Sequence, residues 1–349
     1  MKCAVIILNW NGAEMLRRYL PSVDRFAEGP LRCKTADAEG QVQVIVADNG
    51  STDESKEVVK AFKGVQWMPF DQNYGFAEGY NRAIAQVDSE YVVLLNSDVE
   101  VTEGWLEPLL SAMDEDKTIA AVQPKILSWT SKENGDHPVR FEYAGAAGGF
   151  IDRLGYPYCR GRMFSTVEQD NGQYDEPADI FWASGACLCV RTNIYKELGG
   201  LDENFFAHQE EIDLCWRMNS RGYRVCCIPS SVVYHLGGGA LNYEHPRKTF
   251  LNFRNNLLML YKNLPTRRLI PTLLLRWSLD IVAALQMLLT GKSKNARAVI
   301  QARFAFWKAI PSFRIKRQEN LQKAVIQLPK TMQPFSILWQ YYIQGKHTY

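Results

Sequence analysis

Short apolar blocks alternate with helical patterns through the first three quarters of the chain. Ala4 to Leu8, Val42 to Ala47 and Val65 to Met68 read as strands, and Tyr91 to Leu95 is a fourth, apolar at every position. Such runs suit strands buried on both faces of a parallel sheet. Periodicity predicts helices over Ala13 to Leu20 (stopped by Pro21), Glu54 to Phe62, up to Gln86 from the Asn73 turn, and Trp105 to Met113. A short strand at Ala120 to Val122 follows. Strand character resumes at Ala186 to Val190 and Tyr223 to Ile228, around a helix from Glu210 to Ser220, and Lys248 to Lys262 is helical. This alternation predicts an α/β domain, a mostly parallel central sheet with helices on both faces.

Two stretches break the pattern. Residues 125–180 are rich in Gly, Tyr, Arg and Asp with weak periodicity, and read as irregular loops with room for a hairpin beside the sheet, a binding lid in character. Beyond Leu264 the chain turns apolar and basic: Leu269 to Leu289 is interrupted by Pro271, Arg276 and Asp280, and Ala296 to Ile310 mixes Arg297, Arg303 and Lys308 with Phe304, Phe306 and Trp307. Amphipathic helices of this kind suit a membrane surface, and the competing reading is a helical layer packed on the core. No run of about 18 apolar residues is free of charge, so an ordinary spanning helix is not expected.

Charge sharpens the division. Of 40 Lys and Arg, 18 lie from His245 onward, against only two of the 38 acids, Asp280 and Glu319. An anionic partner is therefore expected for the tail, a membrane surface rather than nucleic acid, because the basic residues are interleaved with long aliphatic runs and no nucleic-acid motif occurs. The eight Cys form no CxxC pair, which argues against a zinc site. Lying in apolar runs, they read as buried thiols of a reducing compartment. The N-terminus opens on a strand with no secretory pattern, so the expected location is cytoplasmic, peripheral on the inner face of the cell membrane. Gly291-Lys292-Ser293 lacks the upstream Gly of a phosphate loop, Gln286 standing there instead.

Polar clusters fall where strands end, the edge at which open α/β sheets bind ligands. Asn96 and Asp98 share a face after the fourth strand, a carboxylate and an amide oxygen suited to a divalent cation on phosphates, or simply a turn. Asp48 and Asp53 follow the second strand. Asp48 can bond a base or ribose, whereas Asp53 also suits a helix first turn. Asn73, Gly75 and Asn81 form a third cluster in which glycine permits close approach to a ligand, with Asn81 alternatively a helix residue bonding a loop. Glu210, Glu211 and Asp213 crowd the start of one helix, complementing its dipole or raising a carboxyl pKa into general-base range. His235 precedes Gly237-Gly238-Gly239, structural or part of a site.

In order along residues 3–263, Asn9-Trp10-Asn11-Gly12, Val46 to Asp53, Asn73 to Asn81, Leu95 to Asp98, Glu210 to Arg217, His235, Arg254-Asn255 and Lys262-Asn263 resemble the motifs of glycosyltransferase family 2, in particular its rhamnosyltransferase-like branch. The resemblance implies a GT-A fold, a Rossmann-like nucleotide-sugar domain over residues 1–263 with 125–180 on the acceptor side, and a basic amphipathic tail over 264–349. It implies Asn9, Asp48, Asp53, Asn73, Gly75, Asn81 and Asn96 at the nucleotide sugar, and Asp98 and His235 at a divalent metal (Mg2+ or Mn2+). Glu211 is implied as the catalytic base, with Glu210 and Asp213 as rivals. Two positions depart from the family pattern: Asn96 replaces the first acid of the metal motif, and Glu211 an Asp. The implied activity is inverting transfer of a sugar, L-rhamnose in this branch, from a nucleoside-diphosphate donor to a hydroxyl of a surface-glycan or lipid-linked acceptor. The departures leave a second reading, a non-catalytic sugar-nucleotide-binding scaffold of a polysaccharide assembly complex. A dinucleotide oxidoreductase is excluded by the lack of GxGxxG after the first strand.

Overall fold

The computed structural model describes residues 1–27, 42–237 and 245–349. In chain order the first elements are β1 (Cys3–Asn9), α1 (Ala13–Ala27), β2 (Val42–Asp48), α2 (Ser55–Lys60), β3 (Val65–Pro69), α3 (Gly75–Ala85), β4 (Tyr91–Asn96), β5 (Val99–Val101) and α4 (Leu106–Glu115). Next come β6 (Ile119–Ser128), α5 (Trp129–Glu133), β7 (Gly149–Ile151), β8 (Pro157–Cys159), β9 (Arg162–Met163), β10 (Thr166–Val167), β11 (Ala178–Asp179), β12 (Cys187–Arg191) and α6 (Thr192–Glu197). The chain closes with α7 (Glu210–Ser220), β13 (Arg224–His235), α8 (Pro246–Asn263), α9 (Thr266–Leu289), α10 (Ser293–Lys323) and α11 (Ile337–Tyr342).

The main sheet runs β3-β2-β1-β4-β12-β6-β13-β11, with β5 on β13. The expected parallel unit is β3, β2, β1 and β4. Beyond it β12 enters antiparallel between β4 and β6, because it descends from the long excursion above the carboxyl edge. Its leading residues therefore lie at that edge, and Asn96 N donates to Ala186 O at 3.0 Å. Strands β1 and β4 are almost wholly buried, and a hydrophobic core lies on each face of the sheet they form.

Several predicted boundaries move. Helix α1 continues through Pro21 to Ala27, since the exposed ring sacrifices one hydrogen bond while Leu16, Tyr19, Leu20 and Val23 keep an unbroken buried stripe. Strands β6 and β13 run on past the predicted short segments and pair in parallel up to Ser128 and His235, with a register shift between Ile228 and Val232. The 125–180 stretch holds a small four-stranded sheet, β10-β9-β8-β7. Gly238 and Gly239 lie outside the described residues. The C-terminal helices form a layer against the domain: Phe306 and Phe313 of α10 are buried, Phe306 against Tyr261 of α8, Phe313 against Phe205.

Candidate active site

The carboxyl edge of the parallel strands gathers the first group of polar residues. Register places Asn9 opposite Asp48. Asn9 Nδ2 donates to Asp48 Oδ1 at 2.9 Å, and the Ser51 amide and hydroxyl donate to the same carboxylate at 2.9 and 2.5 Å. Asp48 is thus fixed in orientation although only 3% exposed. Asn9 Oδ1 is buried and unpartnered, and a Cβ at Gly12 would collide with it.

Other predicted residues are spent on the scaffold. Asp53 accepts from Ala13 N (2.9 Å) and from the Ser55 hydroxyl (2.5 Å), so it anchors the starts of α1 and α2 together. Burial opposes its ionisation, but these hydrogen bonds outweigh that and hold its carboxyl below the usual range. Asn73 Oδ1 accepts from Gly75 N at 2.8 Å and opens α3. Gly75 has φ +80°, and a Cβ there would run into the Phe206 ring. Asn81 accepts from Tyr195 Oη (2.6 Å) and Leu201 N (3.0 Å) and donates to Leu201 O (2.8 Å), tying α3 to the loop after α6.

Asn96, Asp98 and His235 converge across β4 and β13. His235 Nε2 lies 3.1 Å from Asp98 Oδ1 and 3.4 Å from Asn96 Nδ2, and its Nδ1 is 3.5 Å from Glu142 Oε1. Burial disfavours a charged imidazole, yet Asp98 and Glu142 outweigh it and raise the His235 pKa to about 10. Glu142, from the irregular stretch, was invisible to sequence reasoning: nothing in Arg140-Phe141-Glu142-Tyr143 marks one acid for burial beside a histidine.

The second half of the site is the start of α7. Phe206, His208 and Gln209 all have positive φ (65°, 69° and 76°), a strained run for residues with side chains. Several donors brace it: Asn255 Nδ2 donates to the carbonyls of Phe205, Ala207 and His208 at 2.9, 2.8 and 2.8 Å, and Phe76 N donates to Phe206 O at 3.0 Å. The bend delivers Glu210 and Glu211 with one carboxylate oxygen of each buried and unpartnered. Desolvation raises both pKa values, Glu210 well above its ordinary range with the Glu211 charge adding to it, and Glu211 to about 7. Glu210 is 3% exposed, whereas Glu211 keeps partial access to solvent. Asp213 is fully buried and saturated by Arg217 Nε (2.9 Å), Lys262 Nζ (2.8 Å) and Asn263 Nδ2 (2.8 Å).

The two halves adjoin through Gly185. Its neighbour Ala186 is bonded to Asn96, and a Cβ added at Gly185 would sit 3.3 Å from Phe76 and 3.9 Å from Glu211 Cγ. The fixed Asp48 carboxylate, the cluster of Asn96, Asp98 and His235, and the elevated Glu211 carboxyl therefore share one edge of one sheet.

Residues 4–172 match the profile of Glycosyl transferase family 2. The chain carries a family 2 glycosyltransferase domain. Over 243 residues (66% of this chain and 75% of the relative) it is 26% identical to the N-acetylglucosaminyl-diphospho-decaprenol L-rhamnosyltransferase of Mycobacterium tuberculosis. In fold, the glycosyltransferase resembles S. aureus TarS 1-349 in complex with UDP-GlcNAc, with TM-score 0.52 and 16% identity over 99% of this chain and 93% of the other. It also resembles GalNAc-T7 with UDP, GalNAc and Mn2+, with TM-score 0.51 and 18% identity over 67% of this chain and 43% of that one. The mixed α/β architecture is that of GT-A glycosyltransferases.

Proposed function

We propose that this glycosyltransferase is an inverting, metal-assisted enzyme. It moves a sugar, L-rhamnose being the first candidate, from a nucleoside diphosphate to a hydroxyl of a lipid-linked or surface-glycan acceptor at the cytoplasmic face of the membrane. The observation that carries the reading is the adjacency of the raised Glu211 carboxyl to the Asn96, Asp98 and His235 cluster. Asp48 and the free Asn9 Oδ1 suit the nucleoside.

The donor set fits Mg2+ or Mn2+ once the ion displaces the proton that Asp98 and Glu142 stabilise on His235: a carboxylate, an amide able to present its oxygen, and an imidazole whose Nδ1 faces Glu142 and whose Nε2 faces Asp98. Asp98, His235 and Asn96 would hold the ion, which would supply charge compensation for the departing diphosphate. Glu211 takes the proton of the acceptor hydroxyl. The freed oxygen attacks the anomeric carbon opposite the diphosphate, the carbon–oxygen bond to phosphate breaks with its electron pair leaving on the diphosphate, and the configuration inverts.

Nucleotide release from a panel of nucleoside-diphosphate sugars, with Mn2+ and glycolipid acceptors, tests this. Acceptor-dependent release is expected for one donor. Donor binding without release under any pairing would favour the scaffold reading instead. A narrower prediction concerns the acid behind the histidine. Glu142→Gln should weaken Mn2+ binding about 10- to 100-fold, read by electron paramagnetic resonance titration in the presence of nucleoside diphosphate.

A further inference from the structure

Helix α9 is built the wrong way round for water. Ile270, Leu274, Trp277, Ile281, Leu285 and Leu288 recur every three or four residues, so they form one stripe, and every one of them is exposed by 48% or more. The two charged residues in the middle of the same helix face the protein. Arg276 and Asp280 are each 2% exposed. Arg276 Nη1 donates to Leu154 O at 3.0 Å, its guanidinium lies over the Tyr156 ring at 3.9 Å, and Asp280 Oδ2 pairs with Arg303 of α10 at 2.7 Å. The stripe widens across α10, where Ile300, Phe304 and Trp307 are exposed and Arg303 also reaches over the Trp277 ring. A contiguous exposed apolar face of this kind marks an interaction surface.

Its rim identifies the partner. Arg267, Arg268, Lys292, Lys294, Arg297 and Lys308 are exposed on the two helices and the turn between them. Across residues 264–349 the only acids are Glu319 and the buried Asp280. Two copies of the chain meeting through this face would bring like charges together. A bilayer with anionic headgroups satisfies both features, apolar stripe below and cations at headgroup level, with Trp277 and Trp307 at the interface where tryptophan is favoured. Helix α9 is also long and apolar enough to cross a membrane. Crossing would tear Arg276 and Asp280 from Leu154 and Arg303 and carry them into hydrocarbon, which is costly.

We propose that α9 and α10 form an in-plane docking face for an anionic lipid bilayer, with α9 lying along the surface and held from beneath by Arg276, Asp280 and Arg303. The proposal deepens the lipid-linked acceptor reading above and rests on it only for its purpose. The full chain, without donor, is floated with phosphatidylglycerol-containing vesicles and with pure phosphatidylcholine vesicles. Wild type should float with the anionic vesicles and lose binding as salt rises. I281D/L285D should bind at least about tenfold less. Brominated phospholipid should quench tryptophan fluorescence in wild type and not in W277F/W307F. Nucleotide release with a water-soluble acceptor should be the same in I281D/L285D as in wild type, because both residues lie outside the site. Equal flotation of I281D/L285D and wild type would overturn the proposal, as would a wild-type protein that is dimeric and does not float. Resistance of the membrane-bound protein to alkaline carbonate would overturn the in-plane arrangement in favour of a spanning helix. Loss of transfer activity with flotation intact would strike the function proposed above and leave this face standing.

Discussion

Glu211→Gln should lower turnover at least about 100-fold, within the roughly 10²- to 10⁴-fold range of general-base catalysis, while donor affinity stays near wild type. The amide keeps the size and the hydrogen-bonding shape of the carboxyl but cannot take a proton. Donor affinity is spared because Asn9, Asp48 and Ser51, the residues proposed for the nucleoside, bond one another and not Glu211. The pH profile separates a base from a merely structural acid. Burial has raised the Glu211 pKa to about 7, so the wild-type rate should climb as pH passes through that value and the residue gives up its proton. In Glu211→Gln that limb should vanish. Stability moves the opposite way. Between about pH 4, where an unfolded glutamate ionises, and about pH 7, folded Glu211 holds a proton that the unfolded chain has released. Stability from this group therefore falls as pH rises across that window, and Glu211→Gln should flatten the fall. A variant with wild-type turnover would leave Glu210 as the candidate. Its deeper burial and its position beside Glu211 suit it better to holding a proton at neutral pH.

The parallel strands were legible because nearly every residue of β1 and β4 is buried, and unbroken apolar runs carry that information. The polar residues just past them were legible for the same reason: a polarity flip at a strand end marks the sheet edge. What could not be read is which oxygen atoms the chain had already consumed. Asp48 and Asp53 look alike in sequence, and each carboxylate accepts three hydrogen bonds from the chain, Asp48 from Asn9 and Ser51 and Asp53 from Ala13 and Ser55; what separates them is burial, Asp48 lying buried at the end of β2 and Asp53 exposed before α2. Glu210, Glu211 and Asp213 likewise look equivalent at a helix start. Residues some fifty positions downstream on α8 distinguish them, since Lys262 and Asn263 reach Asp213 and neither glutamate. Glu142 reaches His235 from a stretch without periodicity, and long-range contacts from irregular chain leave no pattern to read. The inverted polarity of α9 was half visible. Its apolar content and its two charges could be counted, but which side faced the protein depended on Leu154 and Arg303.

Lys262→Met should cost about 3–5 kcal/mol of folding stability at neutral pH, the usual consequence of removing one member of a buried ion pair. Lys262 is 4% exposed and donates to Asp202 at 2.7 Å and to Asp213 at 2.8 Å. Methionine nearly matches its length and apolar stem, so the loss is of charge more than of packing. Lys316 would still pair with Asp202, and Arg217 with Asp213, but each acid would be left with a single cation in an interior that does not forgive the deficit. Burial works against ionisation of Asp202, and Lys262 and Lys316 together outweigh it, holding its carboxyl far below the usual range. A carboxylate so depressed contributes stability that is complete above about pH 4, the unfolded value, and is lost as pH falls toward the folded one. The gap between wild type and Lys262→Met, measured by urea unfolding, should therefore be widest near pH 7 and narrow in acid as Asp202 takes up a proton in both proteins. A gap that does not narrow even below about pH 3, where the depressed Asp202 begins to take up its proton, would mean that packing, not charge, is what Lys262 supplies. Because Asp213 sits one turn along α7 from Glu210, and Asn255 on α8 holds the strained bend before it, the folded fraction of Lys262→Met should also show reduced turnover.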